Sequence, residues 1–163
     1  MTSSSVLSSS SLRCGVPHGL ARLIDLYERN FRLLQRLVPE LDLPFDEAVS
    51  RAGDEPPLCL AVLERARYTV EFRLYYRYAG GATGPRPDVR IRVCRDAATT
   101  ELLGAPPASC WPFVDEAVQS ADEFLDEQWR RNHFLNRWFE YLLARGHGFT
   151  LADRPRRRVS SVD

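Results

Sequence analysis

The chain has 163 residues, in which 22 basic side chains balance 22 acidic ones. This length predicts a single domain, and the composition, 44% hydrophobic and 27% charged, is that of an average soluble globular protein. No apolar run approaches the roughly 20 residues of a membrane-spanning helix. The balanced charge also differs from the excess of positive charge that is typical of a dedicated nucleic-acid-binding protein. We therefore expect a soluble domain with its own core.

The two ends differ in composition from the middle of the chain. Residues 1–15 are rich in serine and residues 153–163 are polar and rich in arginine. Each end has too little apolar surface to offset the entropy lost on ordering, which predicts two disordered tails and one folded domain over residues 17–151. The first residues lack the basic and apolar segments of a secretory signal. The four cysteines form no closely spaced pair, so we expect a cytoplasmic protein.

A first helix is predicted from Pro17, which suits a first-turn position, to Val38, because Pro39 ends it. Apolar residues recur at spacings of three and four, which is typical of a helix lying on a core. The predicted buried stripe comprises Leu20, Leu23, Ile24, Tyr27, Phe31, Leu34, Leu37 and Val38. Residues 39–57 contain several prolines and a glycine, and they are predicted to form an irregular connection.

Four strands are predicted between residues 58 and 103, where the apolar residues switch to a period of two. Residues 58–63 form a short apolar run that ends at Glu64, and residues 68–78 alternate between apolar and polar side chains along their length. A third strand places Val89, Ile91 and Val93 inward, and residues 99–103 are predicted as the fourth strand. Because short turns join the strands, an antiparallel meander is expected.

A long helix is predicted to begin between Val114 and Ala121 and to end at Arg145, with Gly146 as its C-cap. Its predicted inward stripe comprises Val118, Ala121, Leu125, Gln128, Asn132, Leu135, Phe139 and Leu142. Grouped strands between two helices predict an α+β fold. We expect an antiparallel sheet of about four strands, with the N-terminal helix and the long C-terminal helix packed on one face.

Four segments of the chain resemble the YqiB-like family, a group of small proteobacterial proteins classed as a domain of unknown function. The segments are LIDLYERNFRLLQRLVPE (23–40), ERARYT (64–69), PDVRIRVCRDA (87–97) and DEQWRRNHFLNRWFEYLLARG (126–146). The resemblance implies a small cytoplasmic protein with no assigned activity and no known cofactor. The positions that fit the family pattern are Asn30, Pro39, Glu64, Tyr68, Thr69, Arg92, Asp96, Asn132, Trp138 and Gly146.

Two of these residues, Asn30 and Asn132, fall on the predicted buried stripes of the two helices. Burying a side-chain amide without partners costs roughly 1–3 kcal/mol. Each amide is therefore expected to hydrogen-bond to the other, to Gln128 or to a strand end. One interpretation is a polar pair that fixes the helix register. The functional interpretation is the polar mouth of a pocket between helix and sheet.

The outer face of the predicted sheet carries Arg73, Arg77, Arg90 and Arg92 beside Glu71 and Tyr75. A solvated face with cross-strand ion pairs is the commoner outcome of such a pattern. The functional interpretation is a platform for an acidic protein or an anionic small molecule. Because Arg92 also fits the family pattern, it forms the preferred polar set with Glu64 and Asp96. The candidate binding residues are Arg92, Glu64, Asp96, Tyr68, Asn30, Asn132, Arg73 and Arg90.

Motifs for metal binding and covalent catalysis are weak. The histidines His18, His133 and His147 show no H-x-x-x-H spacing, and no cysteine pair has ligand spacing, so neither a metal nor a cofactor is predicted. The chain has no G-x-S-x-G motif. The glycine-rich residues 80–84 lack the lysine and the helix of a phosphate loop and are predicted to form a turn.

These features give three functional hypotheses. The first is a non-catalytic binding or interaction module that engages an acidic or anionic partner through the arginine-lined face. The second is a small hydrolase or transferase that uses Glu64 and Asp96 as acid and base around Arg92, which requires these groups to converge in a cleft. The third is weak nucleic-acid association through the arginines of residues 154–158, against which the neutral body of the chain argues.

Overall fold

The computed structural model describes residues 18–42, 44–78, 87–104 and 121–150. The elements in chain order are α1 (His18–Leu37), β1 (Glu47–Ser50), β2 (Leu58–Arg65), β3 (Thr69–Tyr76), β4 (Asp88–Cys94), β5 (Thr99–Leu103) and α2 (Ala121–Ala144). The strands form one antiparallel sheet in the order β1-β2-β3-β4-β5. The predicted α+β class and the antiparallel meander are confirmed.

One strand of this sheet, β1, lies in the range that we expected to be irregular. It pairs with β2, so that Ala48 lies opposite Leu60 and Ser50 opposite Leu58. A four-residue strand is too short to show a period of two, and its place at the sheet edge is set by pairing with β2. The sheet therefore has five strands, where the alternation of apolar residues predicts four.

The core lies between one face of the sheet and the two helices. The sheet contributes alternate residues of its central strands, and both helices contribute fully buried side chains to the same cluster, so both lie on one face. The buried strand residues are Val70, Phe72, Leu74, Val89, Ile91 and Val93, and the largest buried helix residues are Leu34, Leu37, Leu135, Phe139 and Leu142.

The buried side of α1 is rotated relative to the predicted stripe. Leu20 and Ile24 are 37% and 41% exposed, whereas Leu26 and Asn30 are buried. Leu26 lies one helical turn before Asn30 and on the same side of the helix. Since Asn30 hydrogen-bonds to α2, α1 buries a side that faces its neighbouring helix as well as a side that faces the sheet.

The helices α1 and α2 run parallel, because the contacts between them follow the same order along both helices. The Arg22 guanidinium lies 5.7 Å from the centroid of the Trp129 ring, and Asn30 contacts Asn132. The Phe149 amide, beyond the end of α2, donates to the carbonyl of Leu37, the last residue of α1.

The end of α2 has the predicted glycine cap. Gly146 has a φ of +87°. This left-handed conformation is close in free energy to the usual one for glycine but is strained for other residues. The Gly146 amide donates to the Leu143 carbonyl at 3.1 Å, and the His147 amide donates to the Leu142 carbonyl at 3.0 Å. This pair of bonds is the Schellman arrangement, and it directs His147 back towards the sheet. The predicted tails (1–15 and 153–163), Val118 and the turn at 80–84 lie outside the described residues.

Candidate functional site

The outer face of the sheet places the predicted arginines on adjacent strands. In the register of β3 and β4, Arg92 lies opposite Glu71 and Arg90 lies opposite Arg73. Because side chains alternate along a strand, these four residues project from the same face. The structure therefore brings Arg73, Arg90 and Arg92 together as the sequence predicts.

Glu71 is the centre of this charged group and is only 7% exposed. Arg92 donates from Nε and Nη2 to Glu71 Oε1 at 2.9 and 2.7 Å, and Arg90 donates from Nε and Nη2 to Oε2 at 3.0 and 2.5 Å. The hydrogen bonds from Arg92, followed by those from Arg90, lower the pKa of the Glu71 carboxyl, and burial opposes this shift. Arg92 also donates from Nη1 to Glu101 at 3.3 Å, so all of its nitrogens have a carboxylate partner.

Arg73 has a carboxylate of its own. Its Nε donates to Asp88 Oδ1 at 2.6 Å, its Nη2 donates to Asp88 Oδ2, and its guanidinium carbon lies 4.5 Å from the centroid of the Tyr75 ring. Within the described ranges, Nη1 of Arg73 and Nη1 of Arg90 donate no hydrogen bond. The cross-strand ion pairs of the simpler interpretation are therefore present, and among the described residues they leave Nη1 of Arg73 and Nη1 of Arg90 without an acceptor.

The structure places the remaining residues of the preferred set apart from Arg92. Glu64 is exposed and lies opposite Glu71 on β2, and Asp96 is exposed in the turn after β4. In the described part of the chain, neither carboxylate has a hydrogen bond or ion pair with Arg92. The acid–base arrangement required by the second hypothesis is not formed by these contacts. Tyr68 is also exposed, and its ring lies against a neighbouring arginine.

The two helix asparagines are fully buried and form the expected hydrogen bonds. Asn30 Nδ2 donates to the Asn132 carbonyl at 3.1 Å, and Asn132 Nδ2 donates to the Gln128 carbonyl at 2.9 Å. Asn132 Oδ1 accepts from the Leu102 amide of β5 at 2.8 Å. Asn136, which the sequence pattern did not single out, donates to Asn30 Oδ1 at 3.0 Å. The amides thus link α1, α2 and the sheet edge, as the interpretation of a register-fixing pair requires.

A second buried polar cluster lies beyond the C-terminal end of α2 and was not predicted. Ser50 Oγ lies 3.2 Å from His147 Nδ1 and accepts from the Gly148 amide at 3.0 Å. His147 Nε2 and the Tyr76 hydroxyl are buried without a hydrogen-bond partner among the described residues. The nearby Glu55 accepts hydrogen bonds from the Tyr141 hydroxyl at 3.2 Å. The sequence signal for this cluster is a histidine directly after a helix-capping glycine, but nothing near Ser50 in the sequence identifies its partner.

Burial lowers the pKa of His147, with the Glu55 carboxylate acting in the opposite direction. An unfolded histidine titrates near pH 6.5, so below that pH the unfolded chain binds a proton that the folded chain resists. We expect the free energy of unfolding to fall as the pH is lowered from about 7 to 5. Urea unfolding at successive pH values measures this fall, and the His147→Gln variant should show little of it. An equal fall in both proteins would contradict this assignment.

The described ranges contain neither a metal-binding group of side chains nor a membrane-spanning helix. There, no three histidine, cysteine, aspartate or glutamate side chains lie close enough together to hold a metal ion. Neither described helix combines the length and apolar character needed to cross a bilayer.

The comparison with protein families matches residues 33–148 to a model described as a protein of unknown function, DUF1249. The chain belongs to the DUF1249 family. The matched range of this DUF1249 domain contains the last turn of α1, all five strands and α2, and its final residue, Gly148, is the one that donates to Ser50. The expectation of a domain of unknown function is confirmed. The comparisons with curated proteins and with solved structures each find no match.

Proposed function

We propose that this DUF1249 domain is a non-catalytic binding module for an acidic or anionic partner. The observation that carries the proposal is the pair formed by Arg73 and Arg90, which face each other across β3 and β4. Their side chains are 48% and 54% exposed. Like charges directly opposite each other in a sheet repel, and an acidic group bound on this face would offset that repulsion.

The carboxylates behind the two arginines support this role because they hold the guanidinium groups in place. Asp88 binds Nε and Nη2 of Arg73, and Glu71 binds the same atoms of Arg90. The Nη1 groups are left as preorganised donors, which lowers the entropy lost when a ligand binds. Carboxylates and phosphates are the anions that a planar guanidinium recognises best.

Arg92 has a different part in this proposal from the one assigned by the sequence pattern. Since all of its nitrogens bind Glu71 or Glu101, it acts as a positioning residue that fixes Glu71 beneath Arg90. The three arginines and the carboxylates Glu71, Asp88 and Glu101 have no net formal charge together. We therefore expect short-range recognition of an acidic group, with little long-range attraction.

Fluorescence anisotropy with a labelled oligoglutamate peptide tests the proposal. Replacing Arg73 or Arg90 with glutamine should weaken binding about fivefold each, because an exposed charged contact contributes up to about 1 kcal/mol. Arg32→Gln is the matched control, since Arg32 is an exposed arginine on α1 paired with Glu28. Failure of the wild-type protein to bind, or equal weakening by all three substitutions, would overturn the proposal.

We also propose that this domain is a YqiB-like protein of proteobacterial type that works in the cytoplasm. The four segments resembling that family support the label. The thiols of Cys59 and Cys94 are free, which is compatible with a reducing compartment.

A further inference from the structure

A line of three arginines follows one side of α1. Arg22, Arg29 and Arg36 are spaced by seven residues, which places them on the same side of the helix at intervals of about 10.5 Å. All three are exposed. No hydrogen bond or ion pair engages any of them within the part of the chain that the structure describes. By contrast, Arg32 on the same helix pairs with Glu28.

The N-terminal end of this line lies beside α2. At its beginning, Arg22 contacts the Trp129 ring of α2. The same indole is stacked on His133, with ring centroids 4.7 Å apart and planes 18° apart. Because Arg22 and His133 already contact the Trp129 ring, this ring is less available for stacking on a nucleobase.

We propose that this side of α1 docks an acidic α-helix of a partner protein. A helix with carboxylates at every seventh residue repeats its charges at the same interval of about 10.5 Å, so each can meet one of the three arginines. This charge complementarity favours an acidic helix over a single-stranded nucleic acid, because the Trp129 ring beside the line is already covered by Arg22 and His133.

This docking surface is separate from the anion site of the proposed function. Arg22, Arg29 and Arg36 lie on the helix layer, whereas Arg73 and Arg90 project from the sheet face that the core does not use. The two proposals can therefore fail independently, and the substitutions on each surface serve as a control for those on the other.

Two synthetic helical peptides of about 20 residues test the docking surface. They have the same composition, but one carries glutamate at every seventh position and the other spreads the glutamates around the helix. The wild-type protein should bind the first peptide at least about fivefold more tightly in fluorescence anisotropy. The triple variant with Arg22, Arg29 and Arg36 replaced by glutamine should lose about tenfold or more in affinity, because three exposed ion pairs are removed.

The controls separate this surface from general charge effects. Arg32→Gln, on the same helix but paired, and the double variant Arg73→Gln/Arg90→Gln should bind the first peptide as the wild type does. Glutamine preserves helix propensity, and circular dichroism verifies that the triple variant is folded. Equal binding of both peptides by the wild type would overturn the proposal. So would unchanged binding by the triple variant, or tighter binding of a single-stranded oligonucleotide that the triple substitution abolishes.

Discussion

Replacing Asn132 with leucine should lower the free energy of unfolding by about 3 kcal/mol. Leucine has a similar size but cannot accept the hydrogen bond that the Leu102 amide donates to Asn132 Oδ1 at 2.8 Å. This amide belongs to β5 at the edge of the sheet, and a buried N–H without a partner costs roughly 1–3 kcal/mol. The bond from Asn132 Nδ2 to the Gln128 carbonyl is lost as well.

Urea unfolding followed by circular dichroism measures this change, with Arg130→Leu as the control. Arg130 is an exposed residue two positions earlier on α2, so the same new side chain should change the stability by less than about 0.5 kcal/mol there. If Asn132→Leu were as stable as the wild type, the buried amide would contribute nothing, and the register-fixing interpretation would have to be abandoned.

The effect of replacing Asn30 should also depend on Asn136, because their side chains are hydrogen-bonded to each other. The Nδ2 group of Asn30 donates to the main-chain carbonyl of Asn132, and its Oδ1 accepts from the side chain of Asn136. Residues that share one hydrogen-bond network are expected to show non-additive effects on stability. These amides therefore fix the relative position of both helices and the sheet edge.

The asparagines show what a sequence pattern predicts well. A polar residue on an otherwise apolar helix stripe must be satisfied if the stripe is buried, so the need for partners at Asn30 and Asn132 follows from their positions alone. The strands β3 and β4 and the face from which Arg73, Arg90 and Arg92 project are predicted equally well. In each case the signal is a regular spacing of apolar residues, which arises because one side of the helix or strand is buried.

Features that depend on partners far apart in the sequence are not predicted in this way. The strand β1 exists because it pairs with β2, and Ser50 is buried because His147 and Gly148 return to it after the end of α2. The sequence pattern places Glu71 among the arginines of the outer face, but the register of β3 and β4 decides which arginines it binds.

The position of Glu71 predicts the second large effect. Replacing Glu71 with glutamine should lower the free energy of unfolding by about 2–3 kcal/mol, because the carboxylate accepts hydrogen bonds from both Arg90 and Arg92. The loss is smaller than for a fully buried ion pair, since water reaches the half-exposed guanidinium groups once the charge is removed. Glu101→Gln is the control, because Glu101 accepts one longer bond from Arg92, and we expect a loss below about 1 kcal/mol.

The pH dependence of stability distinguishes Glu71 from His147. The lowered pKa of Glu71 means that its stabilisation is complete above the pKa of an unfolded glutamate, near 4.3, and is lost as the pH falls through the lower pKa of the folded state. The buried His147 acts at higher pH, because its unfolded form begins to bind protons near pH 6.5. Glu71→Gln should therefore reduce the loss of stability below about pH 4.3 and leave the loss between about pH 7 and 5 unchanged. A variant that changed only the higher range would show that Glu71 is not the carboxylate on which the outer face depends.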